Sequence, residues 1–157
     1  MMIPFPESER DTIEFSHEVR RMKVLRFNKD VCSVCGECEK ACASLYFKDE
    51  SREKAALRVD LSGDSNDEPV MKACIQCGEC IPICPVGALY RAKNGTVLIK
   101  KKICVGCMAC VGFCPHSVMY YHADSIEPVK CISCGACVKA CPADALRLEE
   151  EQVPAEV

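Results

Sequence analysis

One cysteine spacing, repeated four times, constrains this chain more than any other feature. The pattern C-x-x-C-x-x-C-x-x-x-C occurs at Cys32, Cys35, Cys38, Cys42; at Cys74, Cys77, Cys80, Cys84; at Cys104, Cys107, Cys110, Cys114; and at Cys131, Cys134, Cys137, Cys141. Disulfides are one outlet for so many thiols in a small chain. Three observations oppose them. The chain opens Met1-Met2-Ile3-Pro4-Phe5-Pro6 and turns charged at Glu7, with no apolar signal stretch behind a basic start. Cysteines in C-x-x-C make strained partners for many simultaneous bridges. Above all, identical spacing in every set points to identical guests rather than to a set of unlike cross-links.

The guest is read from the spacing. Zinc also takes thiolates, but its ligands come as separated pairs, not as a run of three plus one. Three thiolates three residues apart can wrap one corner of an iron–sulfur cubane, while the fourth points along the next helix to another cluster. Pro85, Pro115 and Pro142 follow the last cysteine of three sets, which completes the bacterial ferredoxin run. The sequence therefore predicts four [4Fe–4S] clusters, with all sixteen cysteines as ligands through iron.

Composition sharpens this expectation. The 49% hydrophobic fraction counts the 16 Cys, and the chain has no Trp, five Phe and four Tyr. An apolar core from the remaining side chains alone would be marginal, so the clusters must carry part of the folding free energy. The formal charge is −3; four oxidised clusters with their thiolates would take it to about −11. Such a molecule is a poor partner for nucleic acid or anionic membrane, and a better one for basic patches on redox proteins. No apolar run is near bilayer-spanning length, and a cytoplasmic location is expected, directly or beside an exported partner. No phosphate loop, nucleotide fingerprint or nucleophile–base pair is evident, so no catalytic residue is predicted and substrate chemistry belongs elsewhere.

Along the chain, residues 1–23 hold no cysteine and form an N-terminal extension, a frayed terminus or, in the reading preferred, a strap for a partner, with a short strand at Thr12–Ser16. Val24–Phe27 reads as the strand entering the first set. Ala55–Leu61 follows as a strand or the end of a helix begun near Ser51, and Ser62–Pro69 as a polar loop. The second and fourth sets are close repeats, Cys74-Ile75-Gln76-Cys77-Gly78-Glu79-Cys80 against Cys131-Ile132-Ser133-Cys134-Gly135-Ala136-Cys137, and both continue as Cys-Pro-x-x-Ala-Leu. Proline there suits the first turn of a helix. Asn94-Gly95 signals a hairpin. Gly36, Gly78 and Gly135 are read as letting the loop backbone approach the sulfides. His17, His116 and His122 are expected as surface or supporting residues, His116 as the best candidate for tuning a potential. Lys100-Lys101-Lys102 reads as a solvated strand end that could steer a partner.

Two groupings of ligands fit: two ferredoxin units in tandem, or one nested inside the other. The cysteine-free gaps of 31, 19 and 16 residues favour nesting, because the first is too long for a compact two-cluster unit. Ligand sets would then be Cys32, Cys35, Cys38 with Cys141; Cys131, Cys134, Cys137 with Cys42; Cys74, Cys77, Cys80 with Cys114; and Cys104, Cys107, Cys110 with Cys84. The expected fold class is α+β, two nested ferredoxin-like units with short helices, hairpins and cluster-binding loops. The four-cluster region spans 24–148, with an inner unit over about 70–120, an outer unit of 24–61 with 121–148, and an acidic tail at 149–157.

Over 24–148 the four motifs resemble the four-cluster electron-transfer subunits of molybdenum- and tungsten-dependent oxidoreductases, formate dehydrogenases and related hydrogenase complexes. That resemblance implies nested pairing. The Cys42-Ala43-Ser44-Leu45-Tyr46-Phe47 segment with Ser51-Arg52-Glu53-Lys54 is most similar to the polyferredoxin subunit of tungsten aldehyde oxidoreductases. It implies a non-catalytic relay between a catalytic subunit carrying a tungsten pterin and an acceptor, either a carrier or a flavin- or NAD-binding subunit. Head-to-tail self-association is a further expectation. A freely diffusing polyferredoxin and a zinc-bearing or redox-sensing regulator are the competing readings.

Overall fold

A computed structural model describes residues 19–62 and 67–154. The strand expected at Thr12–Ser16 and the centre of the polar loop after Ser62 lie outside these residues. The elements are β1 (Val19–Phe27), α1 (Glu37–Phe47), β2 (Leu57–Leu61), β3 (Pro69–Ala73), α2 (Cys80–Ile83), β4 (Leu89–Arg91), β5 (Val97–Ile99), α3 (Ala109–Gly112), β6 (Met119–Tyr120), β7 (Val129–Lys130), α4 (Ala136–Ala140) and β8 (Leu146–Pro154). Short 3-10 turns at Lys29–Val31 and Arg52–Lys54 complete the set.

All strands pair in antiparallel twos: β1 with β8, β2 with β3, β4 with β5 and β6 with β7. The first pairing joins the two ends of the described chain, Val19 opposite Pro154 and Phe27 opposite Leu146. It also extends past the boundaries expected for an extension ending at 23 and a tail starting at 149. The reason is charge and alternation. Met22 and Val24 are buried between exposed Arg21 and Lys23, and the acidic residues face basic ones, Lys23 opposite Glu150 with Arg26 paired to Glu149 and Glu151. The supposed acidic tail is therefore a strand up to Pro154.

Asn94-Gly95 does sit in the β4–β5 hairpin, closed by Gly95 N–H to Ala92 and Ala92 N–H to Thr96. The helices depart from expectation. They lie before the prolines, not after them: α2 ends at Ile83 and α4 at Ala140, with Cys84 and Cys141 as extended C-caps (ψ 113° in both). A residue before proline is driven out of the helical region, so the fourth cysteine stops the helix. Where Ala43 replaces proline, α1 continues past Cys42 for eleven residues in all. Apolar burial is divided between two groups. The larger gathers Leu25, Ala43, Ala56, Leu57 and Val59 around Cys38, Cys42, Cys74, Cys131 and Cys137; the smaller gathers Leu89, Val97 and Met119 around Cys80 and Cys110.

Four cysteine-lined cavities in a row

Each helix holds the third cysteine of a set in its first turn; the fourth, four residues on, lies within α1 and at or just beyond the end of α2, α3 and α4. In α1 these are Cys38 and Cys42, both buried. One helical turn separates them, so they leave the same face toward adjacent spaces. That geometry distributes every set over two cavities. Site A is lined by Cys32, Cys35, Cys38 and Cys141. Site B is lined by Cys42, Cys131, Cys134 and Cys137. Site C is lined by Cys74, Cys77, Cys80 and Cys114, and site D by Cys84, Cys104, Cys107 and Cys110. Each cavity is lined by three cysteines of one set and the fourth of another, as repeated copies of one guest require. Among the described residues no group of three or more His, Cys, Asp or Glu is placed to hold a single ion; the sulfurs surround a space.

The sites form a row. A and B share α1 and α4, and C and D share α2 with α3 and the cysteines that follow each. Cys137 of B is near Cys38 of A, and Cys80 of C is near Cys110 of D. The join between B and C is made by side chains. Gln76, fully buried between Cys74 and Cys77, donates from Nε2 to the Cys131 carbonyl at 2.8 Å and to Ser133 Oγ at 3.3 Å. Lys130 Nζ donates to Gln76 Oε1, Val97 O and Cys131 O at 3.0, 2.6 and 2.9 Å. The Tyr46 hydroxyl donates to the Lys130 carbonyl. At the ends of the row, Cys35 and Cys107 are exposed, as is Cys134 of site B.

The backbone is arranged to serve sulfur. The first cysteine of three sets accepts an N–H from the residue two on: Val34 to Cys32, Gln76 to Cys74 and Ser133 to Cys131, each 3.4 Å. Those donors sit at positive φ of 54°, 62° and 54°, which is what aims successive N–H groups into the loop. Cys84 and Cys141 accept from Ala88 and Ala145, the alanines of Cys-Pro-x-x-Ala, at 3.2 and 3.3 Å. Cys42, inside α1, cannot use that turn and instead accepts from Ala56 at 3.3 Å. Gly36 and Gly78 have a different reason from the one expected. Both are left-handed, and a Cβ there would lie 2.5 Å from Arg52 Nε and 2.3 Å from Arg91 Nη2. Each is the floor of a guanidinium. Arg91 ties that loop down through the carbonyls of Gln76 and Cys77, both at 2.9 Å.

Without metal, four of these thiols hold their protons firmly. Burial pushes Cys38, Cys42 and Cys80 up to about 11 and Cys137 up to about 12. At Cys84 burial acts the same way but the N–H groups around it, Ala88 first, outweigh it and bring the thiol below its ordinary value. Sixteen sulfurs, four lining each of four cavities, with N–H donors directed at several of them, fit [4Fe–4S] clusters. Sequence reading missed Gln76, Lys130, Tyr46 and Arg91. Lys130 had a signal: the residues before the first cysteine of the other sets are Val31, Ala73 and Ile103, all apolar. His116 lines site C, Lys100 lies over the Tyr90 ring, and Lys101 pairs with Glu127. His122 packs on Phe47, and His17 lies outside the described residues.

Known proteins match this arrangement in parts. Models described as 4Fe-4S dicluster domain match residues 31–89 and 73–122, and one described as 4Fe-4S binding domain matches 125–147. A protein of Staphylococcus haemolyticus named "Putative formate dehydrogenase" is 31% identical over 70 residues, 41% of this chain and 7% of that protein. Its namesake in Staphylococcus aureus strain MRSA252 is 27% identical over 71 residues, with the same shares. The chain thus spans only a small fraction of these relatives. Among solved structures, a chain of the active site complex BamBC of benzoyl coenzyme A reductase with benzoyl-CoA is 21% identical at a TM-score of 0.48, over 88% of this chain and 86% of that one. The same complex with 1,5-dienoyl-CoA gives 22% and 0.49, over 88% and 82%. The chain is built from ferredoxin-like 4Fe–4S domains of the electron-transport type.

Proposed function

We propose that this chain is the electron-relay subunit of an oxidoreductase, holding four [4Fe–4S] clusters in the ligand sets of sites A to D. The row of four equivalent cavities with an exposed cysteine at each end carries this reading. When bound, such clusters supply one-electron transfer. The chain supplies spacing, insulation and hydrogen bonds to sulfur. A carrier that delivers single electrons by diffusion has little use for four sites in line; a fixed wire between two partners does.

Similarity to part of proteins named formate dehydrogenases supports an oxidoreductase as the catalytic partner. The α1 segment after Cys42 favours one of the tungsten aldehyde oxidoreductase kind. Val86 and Val105, which line site D, are 39% and 62% exposed, and an apolar rim there suits a lasting contact rather than a collision. Substrate chemistry belongs to that partner, and this chain contributes no catalytic residue. Residues 1–18 remain the candidate strap. Among the described residues no helix is long and apolar enough to cross a membrane.

Anaerobically prepared protein should contain about sixteen iron and sixteen sulfide per chain. Four zinc without sulfide would end the reading. Cys141→Ser should perturb the same cluster as Cys35→Ser, by EPR, and leave the one altered by Cys107→Ser untouched. If Cys84→Ser instead shares the Cys35→Ser signature, the ligands are grouped in tandem. Deleting residues 1–18, which stops short of β1, should weaken co-purification with the catalytic subunit at unchanged iron content.

A further inference from the structure

The join between sites B and C contains a charge that the relay does not explain. Lys130 is only 2% exposed, and its hydrogen bonds end on three neutral oxygens, those of Gln76, Val97 and Cys131. Three acceptors for three N–H groups is the donor set of an ammonium. An ammonium taken from water without a counter-charge is strongly disfavoured, and the cost is met only by nearby negative charge. None of its hydrogen-bond partners carries one. Clusters bound in the two adjoining sites would supply it: Lys130 precedes Cys131 of site B and holds the side chain of Gln76, which lies between Cys74 and Cys77 of site C.

The repeat gives an independent indication. At the same place in the other three motifs the chain has Val31, Ala73 and Ile103. An apolar residue is sufficient to enter a cysteine loop, so a buried lysine at this one place, between the two middle sites, needs its own cause. Resting on the four-cluster reading, we propose that Lys130 is a tuning residue shared by the two middle clusters. Its fixed positive charge stabilises their reduced forms and raises both reduction potentials relative to the same clusters without it. Reduction adds one electron and one negative charge to a cluster, and no ligand bond forms or breaks. A positive charge in a low-dielectric joint favours that form.

The test is a dithionite titration of the intact holoprotein, followed by EPR, for wild type, Lys130→Met and Gln76→Glu. Methionine keeps the length and removes the charge, and Gln76 Oε1 retains the Val97 N–H at 3.1 Å. The Gln76→Glu variant keeps Lys130 and places a carboxylate against it. Both variants should lower two of the four midpoint potentials by at least a tenfold change in redox equilibrium, about 59 mV for one electron, and leave the other two in place. Four unmoved potentials at full iron content would overturn the proposal, as would a uniform shift of all four. Loss of the middle clusters in both variants would also overturn it, since Lys130 would then be a structural strut. Fewer than four clusters in wild type would instead overturn the underlying four-cluster reading.

Discussion

Glu39 is 3% exposed inside α1, and its carboxylate is divided between two donors. Oε2 takes the Arg52 guanidinium at 2.6 Å from Nε, and Oε1 takes the Val59 N–H at 3.2 Å. Arg52 in turn covers Gly36 beside the site A loop. Two residues from two other segments, Arg52 and Val59, are thus held by one buried carboxylate. Arg52→Ala should leave Glu39 half-satisfied. The loss is about 1–3 kcal/mol, nearer the lower figure because the guanidinium is partly in water. It should appear as a lower midpoint for thermal loss of cluster absorption near 400 nm. Arg52→Lys should recover only part of it, because an ammonium cannot span the Nε and Nη2 contacts together. If Arg52→Ala melts with wild type, Glu39 is held by Val59 alone.

At the element scale, proline placement separates one helix from the others. Pro85 and Pro142 end their helices at the fourth cysteine, and the following alanine N–H turns back to that sulfur. In α1, Ala43 lets the helix continue to Phe47, which carries Tyr46 to Lys130 and Phe47 to His122. Cys42 then takes its hydrogen bond from Ala56, across the chain. Ala43→Pro should therefore break more than one helical bond. A cost of about 3 kcal/mol or more is expected for proline in a helix interior, with cluster loss at site B. Iron analysis should show about twelve rather than sixteen atoms per chain. The reciprocal Pro142→Ala should retain all four clusters, because Cys141 already has its Ala145 donor. Retention of full iron in Ala43→Pro would show that the eleven-residue helix is dispensable to the site.

At the scale of the whole molecule, apolar burial is thin and concentrated on sulfur. The larger core group counts Cys38, Cys42, Cys74, Cys131 and Cys137 among its buried members, so removing the clusters empties the centre of both apolar groups. The Cys38, Cys42, Cys131 and Cys137 thiols, raised by burial, are then neutral, with no charge to hold the loops around the cavity. Chelation of iron under anaerobic conditions should unfold the chain rather than bleach it. Far-UV circular dichroism should fall together with visible absorption in one transition. Retained ellipticity after full iron loss would show that the β1–β8 ladder and the hairpins stand alone. That ladder joins residues 19–27 to 146–154 and should be the last element to fray.

The cysteine spacing was sufficient to determine the chemistry of this protein, because thiolate number and separation are local quantities that a cubane reads directly. Proline and glycine marked the turns, for the same local reason, and the Asn94-Gly95 hairpin needed no tertiary information. Which side of each proline held the helix was also a local matter, settled by the restriction on the preceding residue. Gap lengths left nested and tandem groupings both open. Only the tertiary structure decided which cysteines line one cavity, since bringing Cys141 to Cys32 depends on closure of β1 on β8. Pattern reading offers no signal for Gln76 and Tyr46, and for Lys130 only its place before a cysteine where the other sets have an apolar residue; the roles of all three come from segments that meet only after folding. A lysine in a motif looks like a surface charge until the packing of two units removes its water.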